Sequence, residues 1–275
     1  MWRKLLEACL FGILEGITEW LPISSTGHLI LLRRYLHSSF DNDFFELFEV
    51  VIQLGAILAV LVVFFDTLCP LFGENTAERR RSARALWARL CLALLPSALV
   101  GFLFDDLLDA YFYRASSVAA ALILYGILFL LVDRRGREEL PSLGAAQVST
   151  RKAFCVGCFQ VLSLLPGTSR SGSTILGGML VGLSRSDAAA FSFLLGVPTM
   201  MGASLLKGVK FFAEGGVLVP EEWAALAVGT LTAFLVSLVT VRFLCDFVRK
   251  HTFAPFGVYR ILLGCAVLAD AWWHR

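Results

Sequence analysis

Apolar residues run along this chain in blocks long enough to cross a lipid bilayer. Six stand out, at roughly 44–65, 87–104, 116–132, 188–206, 223–241 and 254–273. Each holds about 17–22 residues, and a helix rising about 1.5 Å per residue then covers a hydrocarbon core of roughly 30 Å. The pattern predicts an all-α, multi-pass membrane protein. Two further apolar stretches are too short for that. The run 5–14 reaches only about half a bilayer before it meets Glu15. The arms 153–165 and 174–184 are equally short and flank a Pro/Gly/Ser-rich centre. Short arms around such a centre predict hairpins that enter the membrane and leave by the same face. Irregular backbone is tolerated at that depth only where protein buries it or a cavity solvates it.

Each half then reads as one hairpin followed by three spans, approximately 1–135 and 150–275, within a single integral-membrane domain. Three spans is an odd number, so the second half must be inverted relative to the first. Inverted repeats whose broken helices meet near the midplane are an established membrane plan. The two polar segments echo one another: Pro166 follows Pro22 by 144 positions (166 − 22). Gly55-Ala56 and Gly202-Ala203 lie at a similar offset of 147 (202 − 55).

Composition agrees with this pattern, at 57% hydrophobic and a mean hydropathy of +0.75. A net charge of only +2 provides no basic field for nucleic acid. The first apolar run contains Glu7 and Glu15 and lacks a small-residue cleavage site, so it does not read as a removable signal. Seven cysteines are scattered, and the Cys155/Cys158 pair has neither a second pair nor a nearby histidine. They read as small packing residues. Lys and Arg favour one face: Arg79, Arg80, Arg81, Arg84, Arg134, Arg135, Arg137, Arg151, Lys152, Arg185, Arg242, Arg249 and Lys250. The other face receives Arg3, Lys4, Arg33, Arg34, Arg114, Lys207, Lys210 and Arg275. The positive-inside bias makes the first face cytoplasmic. Both termini, the mouth of the first hairpin and an acidic loop at 105–109 then face outward.

Ionisable residues at membrane depth are functional candidates by default. Glu15 and Glu19 are spaced i,i+4 and share one helix face. Such a pair suits a divalent cation, Mg²⁺ or Ca²⁺, whose remaining ligands come from phosphate. Pro22 ends that helix. Ser24, Ser25 and Thr26 follow, and one of them caps the next helix. Ser25 is also a candidate nucleophile, with His28 one turn away as base, acid or phosphate contact. The segment Gly167-Thr168-Ser169-Arg170-Ser171-Gly172 lacks the P-loop lysine. Its glycines, a helix start near Gly172–Thr174 and the guanidinium of Arg170 nevertheless make a plausible phosphate cradle. Ser24, Ser169 and Thr174 rank as further phosphate donors. Gln160 either lines the same cavity or packs, and Gln53 and Glu49, one turn apart, face the site or the repeat partner.

The stretches E-G-I-T-E-W-L-P-I-S-S-T-G-H at 15–28 and L-P-G-T-S-R-S-G-S-T at 165–174 resemble those of the bacterial undecaprenyl-diphosphate phosphatase family, the bacitracin-resistance type. F-E-V-V-I-Q-L-G-A-I-L-A-V at 48–60 is similar to a third family stretch. The resemblance covers nearly the whole chain. It implies an interdigitated inverted repeat with two re-entrant hairpins, and a metal-assisted hydrolase in the cytoplasmic membrane. The hydrolase would remove the terminal phosphate of a C55 polyprenyl diphosphate, recycling the lipid carrier of cell-wall precursors, and its site would open to the periplasm. The family's acidic motif falls on Glu15 and Glu19, its serine–histidine element on Ser24, Ser25 and His28, and its arginine element on Ser169, Arg170 and Thr174. A homodimer is compatible with such a protein. The rival reading is a secondary transporter or flippase, which would use the same broken helices and the same Arg170 cradle on a phosphorylated lipid or anion. A structural scaffold would leave the buried ionisable residues unexplained.

Overall fold

A computed structural model describes residues 1–69, 77–112, 114–134, 142 and 144–273. Those residues form α-helices and contain no strand. In chain order the helices are α1 (Trp2–Thr18), α2 (Ser25–Tyr35), α3 (Asn42–Val63), α4 (Phe65–Leu68), α5 (Ala77–Phe112), α6 (Ala115–Arg134), α7 (Thr150–Val161), α8 (Arg170–Leu180), α9 (Arg185–Ala213), α10 (Pro220–Lys250) and α11 (Ala254–Trp273). Among the described residues six helices are long and apolar enough to span a bilayer: α3, α5, α6, α9, α10 and α11. They coincide with the six apolar blocks of the sequence, the first of which runs two residues past the end of α3. Several run well past them, because polar helix formers carry α5 to 36 residues and α10 to 31.

Two expectations change. The acidic stretch 105–109 is not a loop: its backbone continues α5, and its side chains lie outside the described residues, as do Arg135, Arg137 and Arg275. The first arm is also longer than half a bilayer. Helix α1 has 17 residues, about 25 Å, and runs through Glu15 to Thr18. No breaker intervenes before Pro22. Leu21, directly before that proline, is disfavoured in the α region, so the helix stops just ahead of it.

The two helix-turn-helix units match in detail. Helices α2 and α8 each have 11 residues. Ser24 and Ser169 are their N-caps, with φ of 73° and 70°, and their hydroxyls accept from the amides of Gly27 and Gly172. The caps lie 145 apart (169 − 24), one more than the prolines, so the second turn holds one extra residue. A left-handed non-glycine residue costs about 1–3 kcal/mol, and such strain gathers at functional sites.

Packing exchanges the units between halves. Helix α1 lies along α10, α7 lies along α5, α6 pairs with α11, and α3 packs on α9 and α10. Glycine permits both exchanged contacts. A Cβ on Gly12 would meet the Gly229 carbonyl, and one on Gly157, again 145 later (157 − 12), would overlap the Ala93 carbonyl. The Gly55/Gly202 echo is not a shared contact: Gly55 closes on Thr230, whereas Gly202 faces open space. Gln160 on α7 is fully buried and packs rather than lining a cavity. It donates to Ser97 Oγ at 2.6 Å and accepts from Thr199 Oγ1 at 3.3 Å. Those two residues follow Pro96 of α5 and Pro198 of α9, which lie inside their helices. Polar residues separate to two ends. Asp133, Arg185 and Arg249 line a cavity of about 800 Å³ at one end. Arg33, Arg34, Arg114 and Lys207 line one of about 900 Å³ at the other. This matches the partition of Lys and Arg drawn from sequence.

The α5–α7 contact yields a test. Gly157→Leu forces side-chain volume into the Ala93 backbone, and overpacking of a tight interface costs about 1–3 kcal/mol or more. Its thermal melting in detergent should fall clearly, whereas Gly202→Leu should melt like the parent.

Candidate active site

The last turn of α1 delivers two carboxylates. Glu19 closes the helix with φ −66° and ψ −38°, its amide bonded to the Glu15 carbonyl at 3.0 Å. The i,i+4 geometry read from sequence is therefore present. Glu15 is fully buried and Glu19 is 6% exposed.

Glu19 is the point at which the two units meet. Its Oε1 accepts from Arg170 Nη2 at 2.9 Å, and its Oε2 accepts from Ser25 Oγ at 2.6 Å. Its backbone carbonyl accepts from Ser171 Oγ at 3.0 Å. One residue thus binds the starts of α2 and α8, which lie far apart in sequence. Arg170 is further fixed by a bond from Nη1 to the Ser192 carbonyl at 2.7 Å, and its guanidinium lies 5.5 Å from the Trp20 ring centre. Gly196 makes room for it, since a Cβ there would stand 2.7 Å from Arg170 Nη2.

The remaining candidates sort around this centre. Ser169 Oγ lies 3.1 Å from Ser171 Oγ while it caps α8. Thr174 Oγ1 donates back to the Arg170 carbonyl at 2.9 Å and accepts from Ser192 Oγ at 2.6 Å. Gly167 adopts φ 92°, open to glycine without strain. His28 is half-buried, yet Ser25 and His28 do not form a pair. The Ser25 hydroxyl goes to Glu19, whereas His28 Nδ1 bonds the Ser24 carbonyl and Nε2 bonds the Tyr259 hydroxyl, both at 2.7 Å. The His28 and Tyr259 rings lie parallel, 5.6 Å apart.

Sequence reasoning missed two residues of α11. Tyr259 orients His28. Arg260 is fully buried and donates to the carbonyls of Pro22, Gly167 and Thr168. The signal for Arg260 was present: an arginine near the middle of the apolar block 254–273, where charge is costly. Ser192, buried on α9, carried no such signal.

A divalent cation fits the donors in part. Both carboxylate oxygens of Glu15 are buried and accept no hydrogen bond, although Glu19, Glu49 and Arg170 are its charged neighbours. Buried oxygens without donors are what a hard cation satisfies. Glu19 already serves Arg170 and Ser25, but each carboxylate oxygen has two lone pairs. Among the described residues no group of three or more His, Cys, Asp or Glu is arranged to hold a metal. Further ligands would have to come from phosphate or water.

A family model described as Bacitracin resistance protein BacA matches residues 8–266. The chain belongs to the BacA family. Individual relatives agree over nearly its whole length. A Streptococcus thermophilus protein is 50% identical over 266 residues, 96% of this chain and 92% of the relative. One from Streptococcus mutans is 51% identical over 267 residues, 96% of this chain and 95% of its own. One from Enterococcus faecalis is 46% identical over 273 residues, 99% of both. All three carry the name undecaprenyl-diphosphatase. Family membership and the six long apolar helices make this BacA chain a multi-pass membrane protein.

The Glu19–Arg170 pair makes a prediction about stability. Removing one partner of a buried ion pair strands the other, at about 3–5 kcal/mol. Arg170→Met should therefore lower the melting temperature in detergent. The double variant Glu19→Leu/Arg170→Met should regain much of that loss. A double variant melting below the single one would contradict the pairing.

Proposed function

We propose that this BacA-family chain hydrolyses undecaprenyl diphosphate to undecaprenyl phosphate and inorganic phosphate. It thereby recycles the lipid carrier of cell-wall synthesis and confers bacitracin resistance. Family membership and the relatives' name support the reaction. The single structural observation that carries it is Glu19, bonded at once to a hydroxyl and a guanidinium at the junction of two turns. An acid beside a nucleophile and a phosphate-binding fork form a phosphoryl-transfer constellation.

The chemistry follows from those contacts. The polyprenyl tail lies along the apolar span surfaces, and the diphosphate sits between the starts of α2 and α8. Arg170 binds oxygens of the transferring phosphoryl group, and the Gly167–Gly172 amides and the positive end of α8 add to that field. Ser169, Ser171, Thr174 and Ser24 fix the turns that present these donors. Ser25 Oγ attacks the terminal phosphorus, and its proton passes to Glu19 Oε2, already 2.6 Å away. The bond to the bridging oxygen breaks, and undecaprenyl phosphate leaves. Water then attacks the phosphoserine and gives a proton to His28, Glu19 returns the first proton to Ser25 Oγ as its bond to phosphorus breaks, and inorganic phosphate departs. His28 is the alternative attacking group, and water a third. Glu15 and Glu19 would hold Mg²⁺ or Ca²⁺, which supplies neutralisation of phosphate charge when bound. Positioning and electrostatics dominate such reactions.

The fold we infer is an inverted repeat with two re-entrant hairpins. The equal offsets of the caps and of the crossing glycines support it. We assign the chain to the bacterial cytoplasmic membrane, with the Arg33/Arg34/Lys207 end facing the periplasm. The excess of Lys and Arg at the opposite end supports that sidedness.

The assay is inorganic phosphate release from undecaprenyl diphosphate by purified protein, with and without divalent cation. The parent should release phosphate only with cation. Glu19→Ala and Arg170→Ala should each lose at least about two to three orders of magnitude while remaining folded in the membrane. A carrier would give no release at all, and that result would overturn the reading in favour of transport. Activity surviving in Ser25→Ala would move the attack to His28 or water.

A further inference from the structure

We propose that Arg260 is a positioning residue of this site. It clamps the turns of both hairpins together, and its charge is balanced by the diphosphate of the substrate. The inference rests on the hydrolase reading above and adds a residue that no motif contains.

The clamp is geometric. Arg260 Nη1 donates to the Pro22 carbonyl at 2.9 Å. Nη2 donates to the Gly167 and Thr168 carbonyls, each at 2.8 Å. Those carbonyls lie one or two residues before the caps Ser24 and Ser169. One planar fork therefore sets the spacing of the starts of α2 and α8, and with it the distance between Ser25 and Arg170. The guanidinium also abuts the first turn of α8: a Cβ on Gly172 would stand 2.9 Å from Nη1. Its other face lies over the Tyr125 ring, 5.2 Å from the centre.

The charge is the second observation. Arg34, Arg170 and Arg185 each pair with a carboxylate. Arg260 is fully buried, and among the described residues no acid lies within ion-pair distance of it. Its Nε has no hydrogen-bond partner. Carbonyl dipoles solvate a guanidinium without cancelling its charge, and a buried uncompensated charge is strongly unfavourable. A neutral donor could tie two turns at far lower cost. The positive ends of α2 and α8 point into the same junction and deepen the imbalance. An anion bearing more than one negative charge corrects it, and a diphosphate is such an anion.

Two variants test this. Arg260→Met keeps the apolar volume and removes both charge and fork. Arg260→Lys keeps the charge and loses the fork. Each is purified, its folded fraction is measured by thermal melting in detergent, and kcat and KM for undecaprenyl diphosphate are expressed per folded protein. Arg260→Met should lose about a hundredfold or more in kcat/KM, a loss typical of misplaced reacting groups. Arg260→Lys should recover KM toward the parent value and keep a depressed kcat. Parental kcat/KM per folded protein in Arg260→Met would overturn the inference. So would failure of both variants to fold, or identical KM in the two. A parent that releases no phosphate would instead sink the hydrolase reading, so the two failures are distinguishable.

Discussion

The site depends on one carboxylate reached from two directions. Glu19 ends α1, and its two oxygens are taken by Ser25 at the start of α2 and by Arg170 at the start of α8. Each contact spans a chain break in the helical ladder. Where a helix stops inside apolar surroundings, its terminal amides and carbonyls need partners that water would otherwise supply. The serine caps satisfy the amides of Gly27 and Gly172. The buried fork of Arg260 satisfies the carbonyls of Pro22, Gly167 and Thr168. The polar centre is thus a consequence of breaking helices, and the same broken ends carry the donors proposed to bind the diphosphate.

Holding that centre requires the two halves to be inseparable. Helix α1 packs on α10 and α7 packs on α5, so the first arm of each hairpin lies along a span of the other half. Small residues at Gly12 and Gly157 allow the backbones to touch, as close packing of helices in lipid demands. The exchange fixes the height of each turn against spans of the other half. The left-handed Ser24 and Ser169 are strained positions, and they persist because this surrounding packing over-determines them.

Much of this was legible in the chain. Hydropathy located six spans, because lipid imposes a length that sequence must meet. Two prolines and two serine-rich turns marked both breaks, and the i,i+4 spacing placed Glu15 beside Glu19. The rest depended on tertiary contact. Nothing in the spacing of Ser25 and His28 reveals that Glu19 takes the Ser25 hydroxyl while Tyr259 takes His28, because those bonds are set by how α1, α2 and α11 cross. Helix α1 was read as too short because Glu15 and Glu19 count as polar in a hydropathy scan. In the folded chain Gly16 presses on α10, and both carboxylates are buried by neighbouring helices rather than by lipid. The 105–109 stretch failed for the opposite reason: acidic residues suggested a loop, although nothing there breaks a helix.

Charge arithmetic explains why the site holds two arginines and more than one acid. Arg170 is offset by Glu19, so that pair alone would present a substrate with little net field. Both carboxylate oxygens of Glu15 are buried without a hydrogen-bond donor, and Arg260 adds a positive charge with no acid at ion-pair distance among the described residues. The two unsatisfied groups come from different helices, α1 and α11. On the proposed reading a divalent cation would satisfy the first and a diphosphate the second. Binding either alone leaves the other buried group unsatisfied, so their affinities should be coupled through the protein as well as through direct contact between cation and phosphate.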